Sequence, residues 1–180
     1  ASEYRVEAIV APNLKATFDI RLDAQGQTRT DVIFARDEAY SSVTATLNYD
    51  VKITQSGQTV YAHNGIAQHH NSTWHTEVAS AGTVAPHVVY DVPYLIATGA
   101  VPAYDSSQGV ATATIVAAAQ SLANSDTGPL GAALVQQAMG KTGGRADIGP
   151  ETTWAANYLV SQDARALDVL LANADAAGSV

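Results

Sequence analysis

Over residues 43–54 the chain keeps two classes of side chain strictly apart. Val43, Ala45, Leu47, Tyr49, Val51 and Ile53 are apolar, and Thr44, Thr46, Asn48, Asp50, Lys52 and Thr54 between them are polar. Successive side chains of a strand point to opposite faces, so this period of two predicts a β-strand with one dry and one wet face. The pattern recurs over 15–23, where Ala16, Phe18, Ile20 and Leu22 alternate with charged and hydroxyl residues. Asp23-Ala24-Gln25-Gly26 then supplies turn chemistry, and Thr28, Thr30, Val32 and Phe34 resume the alternation as the second arm of a hairpin. Gln55-Ser56-Gly57-Gln58 turns the 43–54 strand into another over 59–63. Further strands are expected over 68–78 and 87–92, the second ended by Pro93. Strands with one wet face belong to antiparallel sheets, hence to a β-sandwich or an open barrel.

After Pro102 the spacing lengthens. Asp105-Ser106-Ser107 is placed to cap an Ala-rich segment running toward Leu122, whose Val, Ile and Thr content suits a strand as well. Residues 124–128 read as a loop, and Leu130, Leu134, Val135 and Ala138 fall at helical spacing up to Gly140. Pro150 stands at a first helical position before Trp154, Tyr158 and Leu159, which share a face. Ser161 caps a last helix expected to bury Leu167, Leu170, Leu171 and Ala174 and to end at Gly178. The expected class is therefore α+β: an antiparallel β-sandwich or open barrel over 1–104, followed by a helical region over 105–180 that ends in an α-hairpin.

With 180 residues, 47% of them hydrophobic, the chain is long enough to bury a core without covalent staples. It has no cysteine, which excludes disulfides, thiolate catalysis and Cys-ligated metals. Nine Lys and Arg against seventeen Asp and Glu give a net charge of −8, a field that repels phosphate backbones and anionic lipid, so no nucleic-acid partner is expected. No apolar run approaches the roughly 20 residues that span a bilayer, so no membrane insertion is expected either. The Ala1-Ser2-Glu3-Tyr4 start fits the mature end left by signal-peptide removal, and the Lys-poor, Thr/Ser/Gln-rich strands resemble exported bacterial proteins, so a secreted or periplasmic location is expected.

The polar run His69-His70-Asn71-Ser72-Thr73-Trp74-His75-Thr76-Glu77 is the first place to look for chemistry. On one strand His69 and His75 lie roughly 20 Å apart, too far to share a metal ion. Only His75 and Glu77 can converge, and His87 from another strand would complete a ligand set. The same residues suit sugar contact, with Trp74 offering an apolar ring, although alternation places Trp74 on the opposite face, toward the core. Tyr90-Asp91 beside His87 could supply acid and base in a lyase-like step, or Val88, Tyr90 and Val92 could be the buried face of a strand. Gly140-Lys141-Thr142 lacks the earlier glycine of a phosphate-binding loop, since Val135 stands there. In Gly143-Gly144-Arg145-Ala146-Asp147-Ile148-Gly149-Pro150, Arg145 and Asp147 precede a helix start, where they could face a ligand or pair with each other.

Gly144-Arg145-Ala146-Asp147-Ile148-Gly149, followed by Trp154-Ala155-Ala156-Asn157-Tyr158-Leu159 and the helix from Ser161 to Ala174, resembles the opening helical hairpins of secreted α/α-toroid polysaccharide lyases and glycosidases. In that family a β-sandwich often accompanies the toroid. The resemblance covers about fifty residues and implies a polysaccharide or oligosaccharide partner. For such a partner the candidate ligand-binding residues, read from the two segments above, are Arg145, Asp147, His75, Glu77 and Trp74, and no cofactor is expected. A toroid needs about a dozen helices and three or four fit here, so the resemblance also implies that the chain is the N-terminal part of something larger. The alternative is a non-enzymatic surface or particle subunit that forms homo-oligomers through long sheet edges, in keeping with abundant Ala, Thr and Val and only 14% charged residues.

Overall fold

A computed structural model describes residues 2–83, 88–103, 105–136, 148 and 151–178. The chain divides into two compact units, Ala1–Ala85 and Pro86–Ala177.

The first unit is made of strands. β1 (Ser2–Ala11), β2 (Leu14–Leu22), β3 (Thr28–Ala35) and β6 (Thr73–Ala79) form an antiparallel sheet in the order β1-β2-β3-β6, and β4 (Leu47–Gln55) pairs with β5 (Gln58–Gln68) in a separate hairpin. The two antiparallel sheets are arranged as a sandwich and no closed barrel forms among the described residues. Alternation assigns the faces: Leu14, Ala16, Val32, Phe34, Trp74 and Val78 are buried on one side, and Asp19, Arg21, Arg29, Asp31, His75 and Glu77 stand on the other.

From the opposite sheet, Val51 and Ile66 are buried toward the same core. The cross-strand partners Phe34 and Trp74 stack with ring centroids 4.5 Å apart, and Tyr61 lies 6.2 Å from Trp74. Such aromatic pairs add about 0.5–1.5 kcal/mol beyond the area they remove from water.

The β4–β5 pairing slips at Asp50, whose carboxylate accepts the Gly65 N–H at 2.8 Å. Gly65 has φ +72°, which suits glycine at a bulge. One extra residue reverses the parity of β5, so Tyr61 and His63 precede the bulge on the half-buried side, and Ile66 and Gln68 follow it there. For this reason β5 continues to Gln68, and the strand expected over 68–78 is two things: the end of β5, and β6 after a turn at 69–72.

In the second unit the described residues form α1 (Val92–Ala97), a 3-10 turn at Ser106–Gln108 capped by Asp105, α2 (Thr112–Ala123), α3 (Thr153–Ser161) and α4 (Ala164–Ala177). Pro93 opens α1 instead of ending a strand. It stands in the first turn, where its missing N–H costs no hydrogen bond, and the Asp91 side chain caps the Tyr94 N–H at 3.1 Å. No strand spans Val88 to Tyr90, both of which are exposed, and the units accordingly divide near residue 85 rather than at 104.

The helix expected from Leu130 does not run through the described residues 130–136. Leu130 and Ala133 have φ +62° and +46°, which no continuing right-handed helix allows, and Ala133 N–H returns to the Asp126 carbonyl at 2.8 Å. α3 and α4 form the expected helical hairpin, with Thr152 as the cap of α3 and α2 packed on α4. Ile115, Tyr158 and Ala166 make its core, with Val110, Leu167 and Leu170 against them. α4 is rotated from expectation: Ala166, Val169 and Asn173 are buried while Leu171 is 52% exposed. Asn173 sits inside because its side chain accepts the Leu134 N–H at 2.9 Å and donates to the Val169 carbonyl at 2.7 Å.

Candidate functional site

The outer face of the four-stranded sheet carries the residues that drew attention in the sequence. Register sets Arg5, Asp19, Asp31 and Glu77 in one row across the strands, and Glu3, Arg21 and Arg29 in the next. Three carboxylates side by side would repel, and the neighbouring row answers them diagonally. Arg5 grips Asp19 through two bonds of 2.7 Å, Arg21 reaches Glu3 at 3.1 Å and Asp31 at 3.5 Å, and Arg29 pairs with Glu77. The bond from Arg5 holds the Asp19 carboxyl below its usual range. His75 Nδ1 lies 3.7 Å from Asp31 at the end of this lattice.

His75 and Glu77 are thus brought to one face, with Glu77 engaged by Arg29. Trp74 is not brought to them. It is 2% exposed on the other face, and its indole N–H donates to the Tyr49 hydroxyl at 2.7 Å, so it presents no ring to a sugar. Asp91 caps α1, and the Tyr90 N–H bonds Gln162 in the helical unit. Arg145, Asp147 and His87 lie outside the described residues. Among the described residues no group of three or more His, Asp or Glu side chains is gathered as a metal site would require, and no helix is long and apolar enough to cross a membrane.

Two features had no counterpart in the sequence reading. Arg36, at the end of β3, is wholly buried, and no carboxylate is bonded to it among the described residues. Its guanidinium donates to the carbonyls of Asn13 at 3.2 Å, Ala45 at 2.9 Å, Gln68 at 2.7 Å and Val43 at 3.1 Å. Beside it Gln68, also wholly buried, donates to the Phe34 and Ser72 carbonyls and accepts from the Tyr49 hydroxyl at 2.5 Å. Trp74, Tyr49 and Gln68 thereby form a chain of bonds, and burial pushes the Tyr49 phenol above its ordinary value of 10. This network is structural: each polar group is bonded to the protein's own backbone or side chains.

The second feature is an apolar groove of about 460 Å³. Val10, Leu14, Ala16 and Phe18 line it from the four-stranded sheet, and Tyr49, Val51 and Ile53 from β4. β4 has only β5 as a paired neighbour among the described residues, and β1 has only β2. β1 is unusual in a second respect. From Ser2 to Val10 every residue is exposed, with Tyr4 at 57%, Val6 at 52%, Ile9 at 76% and Val10 at 54%. The signal was present in the sequence, where Tyr4, Val6, Ala8 and Val10 alternate with Glu3, Arg5, Glu7 and Ile9.

No protein-family model matches this sequence, and neither a curated protein nor a solved structure is significantly similar to it.

Proposed function

We propose that this chain is a non-enzymatic assembly subunit whose β unit joins other subunits through its open sheet edges. One observation carries the reading: β1 is a ten-residue edge strand, unpaired on one side among the described residues, with large apolar side chains more than half exposed. An edge strand offers a row of N–H and C=O groups to any strand that can pair with it. Proteins that remain monomeric blunt such edges with proline, inward charge or a covering segment. β1 contains no proline, and its charges Glu3, Arg5 and Glu7 all belong to one face, leaving Tyr4, Val6 and Val10 on the other. The apolar groove beside β4 adds a second surface of the same kind.

Sedimentation velocity across a concentration series tests the proposal. Species heavier than one 18.7 kDa chain are expected to grow with concentration. A single monomeric boundary up to about 200 µM, far above the roughly micromolar constants of weak interfaces, would overturn it.

A second reading, a carbohydrate-associated module of a polysaccharide-processing protein, is supported by the α3–α4 hairpin, a helical hairpin of the kind that opens such enzymes, and rests on the sequence resemblance. Binding to acidic or neutral polysaccharides supports that reading; no binding and no unsaturated product across both classes would remove it. Export to the periplasm or medium goes with either reading and rests on composition.

A further inference from the structure

We infer that the occupant of the β1 edge is β1 of a second copy, paired antiparallel about a two-fold axis through Val6. This rests on the assembly reading and specifies its partner and register.

A two-fold related pair of identical strands is antiparallel, and residues k and j can face each other only if they belong to the same face, so k + j must be even. Only registers centred on a residue meet this condition, and overlap length together with the charges on β1 chooses between them. Centring the axis on Arg5 opposes Arg5 to Arg5 and each Glu3 to Glu7, which sets like charge against like throughout. Centring it on Glu7 opposes Glu7 to its own copy. Centring it on Tyr4 does bring Glu3 against Arg5 but leaves only residues 2–6 overlapped.

With the axis on Val6, residues 2–10 overlap. Each Arg5 then faces Glu7 of the other copy, Tyr4 faces Ala8, and Val6 faces Val6. Across the joined sheets Arg5 stands between Asp19 of its own chain and the incoming Glu7, a cation flanked by carboxylates on both sides. Across its own sheet Glu7 faces Thr17, and its own chain's Arg5, two residues along the strand, is engaged by Asp19, so the second copy supplies a cation directly opposite it. The result is one eight-stranded sheet with the apolar rows of the two β1 strands continuous across the axis.

The protein contains no cysteine, so single-cysteine variants read the register directly. Tyr4→Cys, Arg5→Cys, Val6→Cys, Glu7→Cys and Ala8→Cys are made in the 180-residue chain and oxidised at a concentration where the parent associates. Directly opposed Cβ atoms approach within roughly 4.5–5.5 Å, close to disulfide reach. Val6→Cys is expected to form the covalent dimer several-fold faster than each of its neighbours. In parallel, exposed Glu7→Arg sets Arg against Arg at both flanking positions, and is expected to weaken association by roughly tenfold at low salt, with the difference shrinking as salt screens it.

Fastest cross-linking at another residue, or association unaffected by Glu7→Arg, in a protein that does self-associate, would overturn the register while leaving the assembly reading intact. A parent chain that stays monomeric would overturn both.

Discussion

Replacing Arg36 by methionine removes four hydrogen bonds from the interior without removing the bulk of the side chain. The four acceptors do not lose equally. The Gln68 carbonyl is buried, and stripped of its donor it costs about 1–3 kcal/mol. The carbonyls of Asn13, Val43 and Ala45 are only partly buried, so water can replace the guanidinium, and each costs roughly 0.5 kcal/mol. Against these losses, methionine no longer keeps a cation out of water, which returns part of the deficit.

The net is a destabilisation of about 3 kcal/mol. For a unit of the size of Ala1–Ala85 this corresponds to a drop of roughly 12–24 °C in Tm. Arg36→Lys keeps the charge but replaces a planar fork by a single ammonium, and should lose about half as much. Urea unfolding followed by Trp74 emission in a Trp154→Phe background measures both, with equal m-values confirming that the end states are comparable. A loss below about 1 kcal/mol for Arg36→Met would refute the claim that the guanidinium organises this corner.

Three further outcomes are expected. Tyr49→Phe deletes the hydroxyl between Trp74 and Gln68 and leaves an indole N–H and an amide oxygen unmatched, so urea titration should show a loss of about 2 kcal/mol; a neutral result would mean that both groups find other partners. Because burial raises the folded phenol above 10, the contribution of neutral Tyr49 is complete below pH 10 and fades as pH rises through the folded value, visible as alkaline loss of stability that Tyr49→Phe lacks. At the start of α4, bonds from the Arg165 side chain and then its N–H hold the Asp163 carboxyl down to about 2. Its folded value lies below the ordinary 3.8, so its support for the helix is present above that pH and disappears as pH falls through about 2; an NMR titration of Asp163 with a midpoint near 3.8 would contradict it.

Regular alternation marked the strands more surely than it marked their ends: β4 begins at Leu47, and Val43 to Thr46, which alternate as regularly, are exposed and outside it. β2 and β3 lie within a residue of where their apolar positions put them, and the helical hairpin forms over the Trp154 to Ala174 stretch that the spacing marks. The alternation of β5 ends early in the sequence because a bulge at Gly65 moves Ile66 and Gln68 onto the face that Tyr61 and His63 held before, a change of parity that period counting cannot follow. Pro93 is ambiguous in the sequence because proline ends strands and also begins helices, and only the Asp91 cap decides between them. The buried face of α4 was misjudged because Asn173 does the work of an apolar residue there, its polarity satisfied by Leu134 and Val169.

Among candidate site residues, the pairing of His75 with Glu77 on one face was readable from parity, as was the core placement of Trp74. Arg36 was not. An arginine after a strand is ordinarily solvated, and its partners come from 7 to 32 residues away in later segments and 23 residues earlier. The β1 edge was readable in principle, since its alternation is as regular as that of β2, but exposure on both faces is a property of the assembled sheets and leaves no mark on a single segment.

The way Arg36 is held has a consequence for how this protein can change over time. Every group that receives its protons belongs to the main chain, and any amino acid at positions 43 and 45 would present the same oxygen. A saturation library should therefore find those positions permissive beside a nearly invariant 36, and relatives that have drifted far in the 37–46 connection could keep its path through one conserved cation.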